Sequence, residues 1–312
     1  MNKKTKLLFK IGSLGAMAAA GICFFNKYID YTACKNKLSP ADTLLTYTWR
    51  FGRIRYTKSG NGTPLLLIHN LNSLSSRHEW NNLKPLLEKN YTVYTIDLLG
   101  CGESDKPKLT YTSYLYVGLL SDFIRDIIRG KTDVIASGLS TSFTMMANLN
   151  NRSLFHKIMM INPVDIREIN QIPNAGLKLR KHLLETPILG TMLYYILHAR
   201  KNIELYYTEQ AFYNPFTLTN TVTSHDYDDA HTCGSSGKYL TASLDAHDLN
   251  CNIAHACRTA EEKVCMLGGL QQKNIQEILT VYHNLNPAFD SAYISKSKAL
   301  PHIENTVETI EK

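Results

Sequence analysis

The pattern of apolar and polar residues divides most of the chain into buried strands that alternate with amphipathic helices. A continuous apolar run, typical of a strand at the centre of a parallel sheet, occurs at residues 64–69, and further strand signals occur at residues 91–96, 134–136 and 158–161. Helical spacing of apolar residues is clearest over residues 114–128. Strands that alternate with helices predict an α/β fold, with a mostly parallel central sheet and helices on both of its faces.

Residues 164–262 interrupt this alternation. Their pattern is mostly helical and includes a polar, turn-prone stretch at residues 219–238. Strand and helix signals then resume at residues 263–269. A sheet fold with a helical insertion predicts a core that carries a cap. The predicted units are therefore a first core segment at residues 31–163, the helical cap at 164–262 and a second core segment at 263–312.

Residues 1–30 have a different pattern, in which four lysines precede an uncharged apolar run at residues 11–25. With the preceding leucines, the run approaches the roughly 20 residues that a transmembrane helix needs. A cleaved signal peptide is the rival prediction, because residues 18–20 resemble a small-residue cleavage site. Apolar residues continue past that site, which favours an N-terminal transmembrane helix and a single-pass membrane protein. Lysines ahead of the run favour a cytoplasmic N-terminus, but lysines behind it leave the sidedness open.

The net charge of +7 is concentrated near the N-terminus. Residues 1–37 hold seven lysines and one aspartate, a local sum of +6 that leaves +1 for the rest of the chain. With so little excess charge, the body needs no basic stripe, and nucleic acid is not an expected partner. The seven cysteines include no CxxC pair, so they neither demand nor exclude disulfides.

The stretch that carries most information about chemistry is residues 132–142, where a buried strand turns into a helix through small residues. A sharp strand-to-helix turn of this kind is typical of a nucleophile elbow. Two registers are possible: residues 136–140 place Gly138 at the tip, and residues 138–142 place Ser140 there. We favour Gly138, because the strand then has an ordinary length and glycine tolerates the positive φ of an elbow.

Five segments resemble, in order, motifs of the α/β-hydrolase superfamily, in the branch with a helical cap after the sixth strand. They are Leu-Leu-Ile-His-Asn at 66–70, Asp-Leu-Leu-Gly-Cys-Gly-Glu-Ser-Asp-Lys-Pro at 97–107, the elbow, Ile-Met-Met-Ile-Asn-Pro at 158–163 and Leu-Pro-His-Ile-Glu-Asn at 300–305. The resemblance covers about residues 45–312. It implies an α/β-hydrolase fold, Ser-acid-His chemistry, and an oxyanion hole from the backbone N–H groups of Leu71 and Leu139.

The positions that the resemblance assigns to catalytic side chains hold other residues. Gly138 at the tip carries no nucleophile, and Ala299 stands where the catalytic histidine would directly precede the Leu-Pro-His string. The position of the acid falls at Gln271 or Gln272. Asn70 replaces the glycine of the family's His-Gly pair, which predicts a distorted oxyanion hole. Because a serine without a base keeps only an alcohol's nucleophilicity, these substitutions predict a degenerate site.

A relocated triad is the alternative. Ser140 or Ser137 would be the nucleophile, His302 the base and Asp165, just after the sixth strand, the acid. In the structural interpretation of the same residues, Ser140 allows close strand–helix packing, His302 supports the Leu-Pro-His string and Asp165 is a loop residue.

No cofactor and no metal is predicted. Residues 225–233 contain metal-capable side chains, but their spacing matches no zinc signature, and a solvated cap loop fits equally well. The sequence therefore predicts a membrane-anchored, catalytically degenerate α/β-hydrolase-fold protein. It would bind a small apolar ligand between core and cap, or a protein partner on the cap surface. The alternative is a serine hydrolase that acts on an ester or amide with relocated residues.

Overall fold

The computed structural model describes residues 3–35, 44–172 and 174–311. In these ranges, eight strands form one sheet in the order β1-β2-β4-β3-β5-β6-β7-β8. Strand β2 is antiparallel to β1 and β4, and the other pairs are parallel, which confirms the predicted mostly parallel sheet. The strands are β1 (Leu45–Trp49), β2 (Gly52–Ser59), β3 (Thr63–Ile68), β4 (Tyr91–Ile96), β5 (Thr132–Ser137), β6 (Phe155–Ile161), β7 (Lys263–Gly269) and β8 (Asp290–Ile294).

The central strands are apolar on both faces because each face supports a separate cluster of buried side chains. In β3, Leu66 and Ile68 point into the larger cluster, whereas Leu65 and Leu67 point into a smaller one with Trp80. This alternation follows from the two-residue side-chain repeat of a strand. Double-sided burial explains the continuous apolar runs in the sequence.

We use the term cap for helices α5 to α9, which lie between β6 and β7. Helices α5, α6 and α9 pack on one another, and α7 packs on α8. Helix α10 lies in the range predicted as cap but packs against the core helices α4 and α11. The helices are α1 (Lys3–Lys35), α2 (Lys84–Leu87), α3 (Ser113–Phe123), α4 (Ser140–Asn150), α5 (Ala175–Glu185), α6 (Leu189–Leu197), α7 (Arg200–Tyr206), α8 (Asn220–His231), α9 (Lys238–Asp245), α10 (Ala254–Thr259), α11 (Ile275–Leu285), α12 (Pro301–Glu304) and α13 (Thr306–Glu311).

The transmembrane helix predicted for residues 1–30 is wrong, and with it the single-pass membrane location. Among the described residues, no helix is both long and apolar enough to cross a membrane. Helix α1 instead packs against cap helices α6 and α8. Asn26 donates a hydrogen bond to the carbonyl of Ile188 at 3.1 Å, and Asp30 accepts one from the hydroxyl of Tyr195. These polar side chains of α1 therefore contact protein groups of the cap.

We expect Asn26→Ala to lower the free energy of unfolding by about 1 kcal/mol, because it removes the side-chain hydrogen bond to the Ile188 carbonyl, which then keeps only the N–H of Met192. Urea denaturation measures the change. The control is Lys27→Ala, which removes an exposed side chain from the same helix and should cost less than about 0.5 kcal/mol. An equal loss in both variants would contradict the docking of α1.

Candidate functional site

The elbow lies between β5, which ends at Ser137, and α4, which begins at Ser140. Gly138 has a φ of +54°, in the left-handed region that disfavours residues with a Cβ. Its N–H donates to the carbonyl of Ile161 at 2.9 Å, which fixes the turn on β6. The sharp turn is thus formed at a residue without a side chain, and Leu139 follows it.

The side chain of Asn70 fills the space in front of this turn. The N–H of Leu139, one of the two donors expected to form the oxyanion hole, donates to Oδ1 of Asn70 at 3.0 Å. A Cβ added at Gly138 would lie only 2.2 Å from the same oxygen. Leu71, which carries the other expected donor, is buried beside Asn70. An amide oxygen of the chain therefore occupies the position next to the Leu139 N–H.

Neighbouring groups hold Asn70 in place. Its N–H donates to Oε2 of Glu79 at 2.9 Å. Nε2 of His69 accepts from the N–H of Leu98 at 3.1 Å, so Nδ1 carries the proton and donates to the Asn70 carbonyl at 2.6 Å. Burial lowers the pKa of His69, which is consistent with a neutral ring. His69 therefore positions the loop after β3.

The relocated triad of the sequence analysis is not assembled, because its members take separate partners. The hydroxyl of Ser140 is buried and donates to the carbonyl of His69 at 2.5 Å. Asp165 forms an ion pair with Arg167 at 2.7 Å. The alternative nucleophile, Ser137, is buried in β5.

His302 lies against a different acid. Its Nε2 is 3.0 Å from Oε1 of Glu79, and both side chains are buried. The imidazole also lies against Trp80, with ring centroids 4.7 Å apart. Burial alone would raise the pKa of Glu79, but the hydrogen bond and charge of His302 outweigh it and hold the pKa below its ordinary value. Glu79 is therefore ionised at neutral pH.

Ala299 and Gln271 stand at the positions of the missing base and acid, and hydrogen bonds between side chains and backbone groups stabilise the segments that contain them. The Ala299 carbonyl accepts from Nδ2 of Asn162 at 2.7 Å, and Oδ1 of Asn162 accepts from the Gly269 N–H at 2.9 Å. Oε1 of Gln271 accepts from the Ser297 N–H at 3.0 Å. The residues in these positions thus hold the loops at the ends of β6, β7 and β8 in place.

A cavity of about 250 Å³ lies beside the elbow, between core and cap. Neither Gly138 nor Ser140 lines it. Its walls combine groups from the loop after β3 with groups from α7 and α8. The polar and aromatic lining includes Asn70, Glu79, Tyr206, Tyr207, His225 and Asp226.

A serine–histidine contact that the sequence analysis missed joins core and cap. Oγ of Ser73 lies 2.6 Å from Nε2 of His198, and Nδ1 of His198 lies 2.8 Å from the Tyr194 carbonyl. A carbonyl can only accept, so Nδ1 carries the proton and Nε2 accepts from the Ser73 hydroxyl. Burial lowers the pKa of His198 to about 4, so the ring is neutral at pH 7. The two residues are 125 positions apart, and no local sequence signal could have paired them.

The 97–107 segment forms a second junction with the cap. Asp97 accepts from the N–H and the guanidinium of Arg77 at 2.7 and 2.5 Å, and from the Glu103 N–H at 3.1 Å. Burial alone would raise the pKa of Asp97, but Arg77 and these donors lower it. Burial, followed by the charge of Asp97, raises the pKa of Asp229 on α8 to about 7. Acidic and basic groups of core and cap therefore meet in a buried environment.

Residues 63–156 match a family described as alpha/beta hydrolase fold. A 2-hydroxy-6-oxo-6-(2'-aminophenyl)hexa-2,4-dienoic acid hydrolase of Metapseudomonas resinovorans is 28% identical over 109 residues, 34% of this chain and 38% of that protein. A soluble epoxide hydrolase of Corynebacterium sp. is 27% identical over 112 residues, 36% of this chain and 38% of that protein. The chain thus matches about 38% of the length of these curated relatives.

The likeness to solved structures extends over most of the chain. A serine hydrolase involved in carbazole degradation superposes with a TM-score of 0.70 at 16% identity, covering 87% of this chain and 96% of that one. At this identity, the likeness establishes the fold alone.

We expect Gly138→Ala to lower the free energy of unfolding by about 2–4 kcal/mol, because a Cβ adds backbone strain of about 1–2 kcal/mol and displaces Asn70. In an Asn70→Gly background, the same substitution should cost only about 1–2 kcal/mol. A double-mutant cycle in urea measures the difference. Gly130→Ala is the control, since nothing lies within 4 Å of its added Cβ. Equal costs in both backgrounds would show that Asn70 does not contact the tip.

Proposed function

Since the chain belongs to the α/β-hydrolase superfamily, we propose that it uses this fold to bind a small molecule and has lost the Ser-acid-His chemistry. One observation carries the proposal: Oδ1 of Asn70 accepts the N–H of Leu139 at 3.0 Å. An oxyanion hole works because its donors are available to the charge that develops on the substrate oxygen. Here the chain supplies an oxygen of its own to one of those donors.

The substituted catalytic positions support the same proposal. Loss of one oxyanion donor costs about 10²–10³ in kcat, even when the catalytic residues are intact. In this chain, Gly138 supplies no nucleophile, Ala299 no base and Gln271 no carboxylate. The hydrogen bonds of Asn162 and Gln271 stabilise the loops that would otherwise present the acid and the base. The scaffold is therefore stabilised in a form without catalytic groups.

We place the ligand in the cavity between core and cap. Leu300, Ile303 and Val222 supply an apolar wall, whereas Glu79 and Asp226 supply polar atoms. This mixture favours a ligand with both an apolar and a polar part over the wholly apolar ligand expected from the sequence. Binding of a protein partner on the cap surface remains a prediction.

The second candidate function is hydrolysis of an ester or amide, and the contact between Ser73 and His198 favours it. A nucleophile within hydrogen-bond reach of a base, with the base oriented by a third group, is the usual arrangement for covalent catalysis. Here the third group is the carbonyl of Tyr194, which lacks the full charge of a carboxylate. Both side chains are buried, and neither lines the cavity, so we rank hydrolysis second.

We expect a fluorophosphonate probe to leave the purified protein unlabelled, because none of the serines considered as nucleophiles, Ser73, Ser137 and Ser140, lines the cavity. Mass spectrometry of the treated chain measures labelling, with an active serine hydrolase treated in parallel. Labelling that disappears in Ser73→Ala would establish the second candidate. Labelling that disappears in Ser140→Ala would establish Ser140 as the nucleophile, as in the alternative, relocated triad.

We also expect Gly138→Ser to remain inactive on nitrophenyl butyrate, because Ala299 leaves the new hydroxyl without a base and Asn70 occupies its space. The release of nitrophenol measures turnover, and the wild-type chain is the control. Turnover well above the wild-type rate in this single variant would contradict the proposed loss of the base.

A further inference from the structure

The cavity between core and cap is acidic. Two carboxyl groups line it from opposite sides: Glu79 from the loop after β3, and Asp226 from α8. Both are buried, with 6% of the Glu79 side chain and 7% of Asp226 exposed. Among the described residues that line the cavity there is no lysine or arginine. A negatively charged ligand would therefore meet carboxyl groups rather than a basic lining.

The surroundings of the two carboxyl groups shift their pKa values in opposite directions. Burial, reinforced by the charges of Asp229 and Glu79, raises the pKa of Asp226 well above its ordinary value despite the hydrogen bond from the Tyr207 hydroxyl. Burial therefore favours the protonated form of Asp226, whereas His302 favours the ionised form of Glu79. The cavity is thus lined by one carboxyl group that burial keeps from ionising readily and by one carboxylate that lies against His302.

Aromatic side chains complete the walls. Tyr206 and Tyr207 line the cavity next to Asp226, and His225 stacks on His78 with ring centroids 4.2 Å apart. Burial lowers the pKa of His225, so this ring adds no positive charge at neutral pH. Aromatic faces attract cations, most strongly where water is excluded. The volume of about 250 Å³ corresponds to about eight water molecules at ~30 Å³ each, enough for a small organic molecule.

We infer that the cavity binds a small organic ammonium ion, with its charged end between Glu79 and Asp226 and its apolar part against Leu300 and Val222. The inference rests on the proposed function in one respect, since it takes the cavity to be a binding site. Two carboxyl groups, aromatic walls and the absence of a lysine or arginine among the described lining residues all favour a cation over an anion.

An ammonium ion beside Asp226 would favour the ionised carboxylate. Where Asp226 is protonated, the acid transfers its proton to solvent on binding while the ammonium ion keeps its own. The groups that face Asp226 are Glu79 from the core, Asp229 from the same helix, and Tyr206 and Tyr207 from the end of α7. Affinity should therefore rise with pH, by up to about tenfold per unit below the pKa of the free Asp226 carboxyl.

The test compares three probes of nearly equal size by calorimetry at pH 7: benzylammonium, benzyl alcohol and benzoate. We expect benzylammonium to bind at least tenfold more tightly than either of the others. Its apparent binding enthalpy should vary with the ionisation enthalpy of the buffer, as the release of a proton requires. Equal or tighter binding of benzoate, or no binding of benzylammonium at millimolar concentration, would overturn the inference.

Asp226→Asn should lower the affinity for benzylammonium at least tenfold and abolish the dependence of its binding enthalpy on the buffer. The affinity for benzyl alcohol should stay the same. The matched control is Asp290→Asn, which neutralises an exposed acid on β8 and should change neither quantity. Unchanged affinity in Asp226→Asn would overturn the inference. If that variant does not fold, two measurements on the wild-type chain decide the question. They are the change of benzylammonium affinity with pH and the dependence of its binding enthalpy on the buffer.

Different results would refute the proposed loss of catalysis and the inferred ammonium ligand. Fluorophosphonate labelling would refute the loss of catalysis without changing the charge preference of the cavity. Loss of the preference for ammonium would refute the ligand class, and the absence of labelling would still support the loss of catalysis.

Discussion

The hydrogen bond between the Asn70 amide and the Leu139 N–H is the interaction on which the functional interpretation depends. It connects the loop after β3 to the elbow. The neutral amide oxygen also occupies the Leu139 N–H, which catalysis would need as a free donor for the substrate oxygen. The same residue binds Glu79 through its backbone, and Glu79 contacts His302 near the C-terminus. Polar groups that could have served catalysis are thereby used to hold three separate segments together.

The strands of the sheet and the sharp turn of the elbow were predictable, because short stretches of sequence determine them. The buried runs form the sheet because a central parallel strand is apolar on both faces, and the sharp turn forms where Gly138 accepts a positive φ. The N-terminal helix was misinterpreted because an apolar face does not specify its partner. Asn26 and Asp30, which contact the cap, are the local sign that protein covers one side of this helix.

The cavity could not be predicted because its groups come from distant segments. The stretch around Asp226 suggested a solvated loop, yet it forms α8, in which Asp226, Asp228 and Asp229 are buried. Polar composition normally indicates exposure, and only the packing of cap on core reverses it here. The pairing of Ser73 with His198 has the same origin, since the position of the cap determines which side chains meet.

The docking of α1 also affects how the chain is synthesised. Asn26 leaves the ribosome 162 residues before Ile188, the residue whose carbonyl it binds. At elongation rates of roughly 5–20 residues per second, the delay is on the order of 10–30 s. During that interval Asn26 has no partner in the cap. The contact that docks α1 can therefore form only after the cap has been synthesised.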